Sequence, residues 1–177
     1  MKKNICGLIL ASALLYSSCM AQKNAGNATK EEWIQLFNGN DISDWMVKIH
    51  HHETGDNYGN TFRVEDGLIK VRYDQYDSFN NRYGHLYFKQ PFSYYHLVVE
   101  YRFTGKWRKD APSYTIKNSG VMLHSQDPRT MLREQDWPIS VEMQFLAGLG
   151  DGKPRPTGNM CSPGTDVVYN GKIDPRH

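Results

Sequence analysis

Ser140-Val141-Glu142-Met143-Gln144-Phe145-Leu146 puts Val141, Met143 and Phe145 on one side of an extended chain and Ser140, Glu142 and Gln144 on the other. Successive side chains of a strand point to opposite faces, so this stretch reads as a strand with an apolar core face and a polar face. The same rule in Asn118 to His124 separates Ser119, Val121 and Leu123 from Asn118, Gly120, Met122 and His124. In Tyr95 to Phe103 it separates Leu97, Val99, Tyr101 and Phe103 from His96, Val98, Glu100 and Arg102. Three strands that each keep a polar face predict antiparallel sheets.

Shorter strands flank these. Thr61-Phe62-Arg63-Val64 and Leu68-Ile69-Lys70-Val71 enclose Glu65-Asp66-Gly67, and an Asp-Gly pair supplies the positive φ values that a tight hairpin needs. Trp45 to Ile49 is a further apolar stretch, and Trp33-Ile34-Gln35-Leu36-Phe37 reads as a strand running into an Asn38-Gly39 turn. Helical periodicity is nearly absent, apart from one short turn or helix expected over Thr130 to Gln135. Many short strands separated by turns predict an all-β sandwich or jelly roll.

The chain begins with Lys2 and Lys3, an apolar run from Ile5 to Leu15, and Tyr16-Ser17-Ser18-Cys19. This is the pattern of a signal peptide over residues 1–18, with Cys19 as the lipid acceptor of an exported bacterial lipoprotein. Such a chain is anchored to a membrane of the cell envelope, and Met20-Ala21-Gln22-Lys23, which carries no acid, favours a periplasm-facing anchor. Residues 19–30 read as a flexible tether, and residues 31–177 as the folded domain. Without Lys2 and Lys3, 19 basic side chains face 19 acidic ones, which argues against a nucleic-acid partner. Of the three cysteines, Cys6 leaves with the signal and Cys19 takes the lipid, so Cys161 has no intramolecular disulfide partner and packing alone must hold the domain.

The polar strand faces hold the candidate chemistry. Glu142 and Gln144, two residues apart, place a carboxylate and an amide where both reach neighbouring sugar hydroxyls, and Asn118 and His124 share the face expected to lie beside them. Glu142 is the first candidate for a catalytic base or metal ligand, and His124 the second. Asn118, Gln144 and Arg82, the last within Asn80-Asn81-Arg82-Tyr83-Gly84-His85, are candidates for substrate binding, although Arg82 equally suits a loop-anchoring ion pair. His50-His51-His52-Glu53 lies in a loop rich in Gly, Asp and Asn, and alternate members His50, His52 and Glu53 offer the imidazole and carboxylate ligands that suit several divalent ions.

Leu36-Phe37-Asn38-Gly39, Thr61 to Gly67, Asn118-Ser119-Gly120-Val121 and Ile139 to Gln144, in this order and spacing, together resemble the 3-keto-disaccharide hydrolase family, whose members are also described as 3-keto-glucoside 1,2-lyases and 3-keto-2-hydroxy-glucal hydratases. The resemblance runs from about Trp33 to Lys172 and implies a concanavalin-like jelly roll with an oxidised, 3-keto saccharide on its concave face. It also implies further strands after the segment Asp166-Val167-Val168-Tyr169-Asn170-Gly171-Lys172, so a jelly roll incomplete at the C-terminus is expected of a chain ending at His177.

Ordinary glycoside hydrolysis uses two carboxylic acids across an oxocarbenium-like transition state. A C3 ketone opens another route, because it acidifies the proton on C2: a base removes that proton, the enolate expels the C1 substituent, and water adds to the glucal. This demands a base, a stabiliser of enolate charge, for which a divalent metal would serve, and an acid for the leaving oxygen. Three other readings compete. A noncatalytic carbohydrate-binding module would use the same fold without turnover. A retaining glucanase would carry Glu-x-Asp-x-x-Glu, whereas the corresponding stretch, Val141-Glu142-Met143-Gln144-Phe145-Leu146, lacks the second and third acids. An envelope interaction protein would show an apolar patch in place of polar strand faces.

Overall fold

The computed structural model describes residues 32–174. The proposed signal peptide, the lipid-acceptor Cys19 and all of the tether lie outside these residues. Nine strands are present among the described residues: β1 (Trp45–Ile49), β2 (Phe62–Glu65), β3 (Leu68–Val71), β4 (Gly84–Phe88), β5 (Asn118–Leu123), β6 (Val141–Leu146), β7 (Met160–Cys161), β8 (Val167–Tyr169) and β9 (Lys172–Asp174). All pairings are antiparallel, in four small sheets ordered β1-β4, β2-β3, β5-β6-β7 and β8-β9. Among the described residues helix is limited to single 3-10 turns at Tyr58–Asn60, Ser113–Thr115 and Pro128–Thr130. The protein is all-β, as its alternating patterns predict.

β1 is the most deeply covered strand. Val47 and Ile49 enter a core with Phe62, packed around by Ile42, Tyr58, Ile69 and Leu86. The residue between them is also buried: Lys48 is 1% exposed. Its ammonium donates to the carbonyls of His52 (2.7 Å) and Ile49 (3.5 Å), which meets the requirement that a buried charge be hydrogen-bonded. Burial pushes Lys48 below the ordinary lysine range, and the charges of Glu53 and Glu134 oppose that shift. Directly across the ladder from Lys48 stands His85 on β4, itself depressed by burial, with Nε2 2.8 Å from the Asp136 carbonyl.

The β2–β3 hairpin forms as the Asp-Gly pair dictates. Glu65 pairs with Leu68, and Asp66 and Gly67 have φ of 55° and 69°, the left-handed values of a two-residue turn whose twist matches the strands. Its outer face is laced by ion pairs from Glu65 to Lys70 (3.2 Å) and Arg72 (2.8 Å).

Two expected strands do not pair. Trp33 to Phe37 has no ladder, and Trp33 and Ile34 are exposed. The turn after it does form, with Asn38 Oδ1 accepting from the amides of Asn40 (2.8 Å) and Asp41 (3.0 Å). Tyr95 to Phe103 is likewise outside any ladder, and Leu97, Val99 and Tyr101 remain partly in solvent. Alternation fixes which way side chains point, not whether a neighbouring strand lies alongside. The direction is right here, since Tyr101 stacks on Phe145 of β6 at 4.2 Å between ring centres and 9° between planes. Of the short turn or helix expected over Thr130 to Gln135 the turn forms, closed by the Gln135 amide on the Leu132 carbonyl (3.2 Å); before it lies the 3-10 turn Pro128–Thr130, capped by Asp127, which accepts from the Arg129 amide (2.9 Å). Burial of Met131 in extended conformation ends it.

Gly67 tests the hairpin. No atom crowds the position of a Cβ there, but its φ is positive. Gly67→Ala is therefore expected to lower stability by about 1 kcal/mol through backbone strain alone, read as a lower urea midpoint with an unchanged slope. An unaltered midpoint would contradict the turn assignment.

Candidate functional site

The register of β5 on β6 decides where the polar groups stand. Met122 pairs with Glu142, Gly120 with Gln144, and Asn118 with Leu146, so these side chains share one face of the sheet. β7 extends the same face by pairing Cys161 with Glu142. Within this row Gly120 leaves a gap, and the Glu142 side chain fills it: a Cβ on Gly120 would lie 2.2 Å from Glu142 Oε1 and 2.8 Å from its Cγ. The Glu142 carboxylate makes no hydrogen bond or ion pair with any described residue. Burial raises its pKa above the ordinary carboxylate range. The Cys161 thiol beside it is raised too, first by burial and then by the Glu142 charge. A half-buried carboxylate without hydrogen bonds holds its proton more tightly than one in water and is correspondingly the stronger base once ionised.

The other candidates on this sheet are tied to the protein. Asn118 donates from Nδ2 to the Tyr114 carbonyl (2.9 Å), and Gln144 Oε1 accepts from Asn159 (3.2 Å). His124 does not continue the strand. β5 ends at Leu123, and His124, with φ of 49°, sits in the turn beyond it, exposed, its ring 6.2 Å from that of Tyr95. Among the described residues no bond joins it to Glu142, because the positive φ breaks the alternation that would have set it on the Glu142 face. Arg82 is engaged internally. It pairs with Asp77 (3.1 Å), donates to the Ser78 carbonyl (2.7 Å) and lies over the Tyr58 ring at 4.8 Å.

A second constellation forms around the histidine loop. His50, His51 and Glu134 each offer one ligand atom, all within 4.8 Å of one another. The geometry thus groups His50 with His51 and Glu134, and not with His52 and Glu53. His52 turns away to Asp56 (2.9 Å) and stacks on Tyr58, and Glu53 is exposed. The cause is local. His51 has φ of 71°, which folds the loop so that the His50 and His51 rings stack at 3.7 Å instead of pointing apart as strand neighbours would. His51 Nδ1 meets the Glu134 carboxylate, and His50 Nε2 lies 3.7 Å from Glu134 Oε2. His50 Nδ1 is 2.8 Å from the Asn81 carbonyl and 2.7 Å from Asp136 Oδ1, a buried oxygen that makes no hydrogen bond of its own. A carbonyl and a carboxylate at Nδ1 favour the proton there, which leaves the Nε2 lone pair on the Glu134 side, as metal-ligating histidines require.

Glu134 and Asp136 were not marked by the sequence, being more than eighty residues from the histidines. Only their spacing in Glu134-Gln135-Asp136-Trp137-Pro138 was a signal. The loop is held to them by a reciprocal clamp, the His51 amide donating to the Arg133 carbonyl (2.8 Å) and Arg133 Nε to the His51 carbonyl (2.7 Å). Aromatic rings continue from this cluster toward β5. Tyr83 lies parallel to His50 at 6.5 Å and tilts against Trp137 at 4.8 Å, and its hydroxyl bonds that of Tyr114, whose carbonyl holds Asn118. Burial chiefly, then Tyr114, raises the Tyr83 phenol.

A family model described as the 3-keto-alpha-glucoside-1,2-lyase-like domain matches residues 32–175. The chain belongs to this family. Its domain is of β-sandwich type and is linked to the processing of 3-keto-glycosides. No curated protein and no solved structure matches the chain.

In this family member Glu142 is raised by burial, so between its unfolded and folded pKa values the native state binds the extra proton. Stability then falls as pH rises through that window. Glu142→Gln is expected to be more stable than the parent at neutral pH and to lose that advantage in acid, as read from thermal midpoints across pH. A Gln variant less stable at neutral pH would show that Glu142 is held ionised.

Proposed function

We propose that the domain cleaves 3-keto-glycosides by elimination and hydration, with Glu142 as the base. The observation that carries this reading is the half-buried Glu142 carboxylate, free of hydrogen bonds and seated in the gap that Gly120 leaves. Ionised Glu142 takes the C2 proton of a saccharide whose C3 is a ketone, and the electron pair of the broken C–H bond becomes the enolate. The enolate pair then forms the C1–C2 double bond as the C1–O bond breaks, and the proton now on Glu142 is available to the leaving oxygen. Water adds across the double bond, completing a net hydrolysis. In this reading Gln144 and Asn118, on the same sheet, orient sugar hydroxyls with the polar atoms they do not already spend on Asn159 and the Tyr114 carbonyl.

The donor set of His50, His51 and Glu134 suits a divalent ion, and the Asn81 carbonyl at Nδ1 orients His50 for that task. What a bound ion supplies to chemistry of this kind is Lewis-acid stabilisation of enolate charge. Titration calorimetry of the full chain with Mn²⁺ or Zn²⁺ is expected to show one site, weakened by at least about tenfold in Glu134→Gln and His51→Ala. Equal binding by the variants would remove the metal from this reading.

We further propose that the protein is an exported, envelope-anchored lipoprotein, so Cys19→Ser is expected to move it from the membrane to the soluble fraction; continued membrane association would contradict lipidation at Cys19.

The activity is tested with a chromogenic 3-keto-glucoside and its unoxidised parent. Release is expected from the keto substrate only, falling about 10²- to 10⁴-fold in Glu142→Gln. Gly120→Ala should lower it similarly, because the added methyl would come within 3 Å of Glu142 Oε1, Cγ and Cδ and force that side chain from its place. A folded protein that binds the keto sugar without releasing the chromophore would instead be a carbohydrate-binding module.

A further inference from the structure

Beside β1 lies a cavity of about 690 Å³ that the chemistry at Glu142 does not use. Its volume falls within the range of small-molecule sites. Four cations line it, Lys48, Lys89, Arg129 and Arg133, against the single acid Glu53. The charge of Arg129 is offset by Asp127 at 2.9 Å, and Arg133 has Glu134 at 4.0 Å in a pair that solvent screens. Lys48 and Lys89 have no carboxylate partner among the described residues: Lys48 donates to the His52 and Ile49 carbonyls, and Lys89 to the Ser43 carbonyl. Glu53 and Glu134 also act on Lys48, so four cations face three carboxylates and the cavity keeps an excess of positive charge centred on Lys89. Low-dielectric walls around such a cavity concentrate its field. Trp45 and Met131 add an apolar wall, which a bare inorganic ion would leave wet and a sugar ring would cover.

We propose that this cavity binds an organic anion of sugar size, a saccharide bearing a carboxylate. The carboxylate meets Lys89, Arg129 and Arg133 in charge-assisted hydrogen bonds, the buried Lys48 adds only its field, and the ring lies against Trp45. This binding is independent of the elimination chemistry proposed above, so either can fail without the other.

The test is titration calorimetry of the full chain with glucuronate, glucose and inorganic phosphate. Lys89 and Arg129 are the positions to change, because Lys48 and Arg133 also hold the carbonyls of the histidine loop. Both chosen side chains are exposed, and Lys89→Arg serves as the charge-keeping control. Glucuronate is expected to bind at least about tenfold more tightly than glucose or phosphate, with an affinity that falls as salt rises. The Lys89→Ala/Arg129→Ala double variant should weaken glucuronate about tenfold, and Lys89→Arg should keep the parent affinity. Equal binding of glucose and glucuronate would overturn the anionic ligand. Phosphate binding as tightly as glucuronate would overturn the sugar acid, and an unaffected double variant would overturn the location.

Discussion

The pairing of Met122 with Glu142 and of Gly120 with Gln144 is the constraint on which the candidate site depends. Side chains alternate with a period of two, so a slip of one residue between β5 and β6 would turn Glu142 to the face that Tyr101 packs against through Phe145. It would bring Met143 into the gap instead. The register also puts a glycine in the row where the Glu142 carboxylate lies, and any larger residue would occupy that space. Seated there, the carboxylate loses water without gaining a hydrogen-bond donor, and its pKa rises for that reason alone. The sheet thus accepts a local energetic cost to hold a partly desolvated carboxylate, the kind of perturbed group that clusters at functional sites.

Around β1 the logic is different. Val47 and Ile49 supply the apolar core, yet the alternate residue Lys48 is as buried as they are. Its ammonium is not idle, since it holds the His52 carbonyl, while Arg133 holds that of His51. Two cations therefore shape the backbone of the loop whose side chains gather with Glu134. Core packing, loop conformation and the candidate metal ligands are linked by hydrogen bonds to carbonyls and by the stack of His52 on Tyr58. The same two cations border the cavity for which an anionic saccharide is proposed.

What the sequence disclosed follows the range of the interactions involved. The Asp66-Gly67 hairpin, β1, β5 and β6 were legible because local chemistry decides them: a turn dipeptide with positive φ, or alternation against one apolar face. Glu142, Gly120 and Gln144 were legible as a row for the same reason. Trp33 to Phe37 and Tyr95 to Phe103 carry the same alternation without a ladder, because pairing depends on a second strand that periodicity does not report. His124 left the row because its left-handed φ ends β5 one residue early. The metal candidates were half legible: the histidine run marked the loop, but the positive φ of His51 and the distant Glu134 determine which side chains meet, and neither has a local signature.

The most direct measurement is exchange of the C2 hydrogen of a nonhydrolysable 3-keto-glucoside analogue in deuterated water, followed by NMR for the parent protein and Glu142→Gln. If Glu142 is the base, the parent exchanges that hydrogen far faster than buffer does and the Gln variant falls to about the buffer rate. Exchange that survives intact in Glu142→Gln would place the base elsewhere and contradict the role assigned to the carboxylate over Gly120.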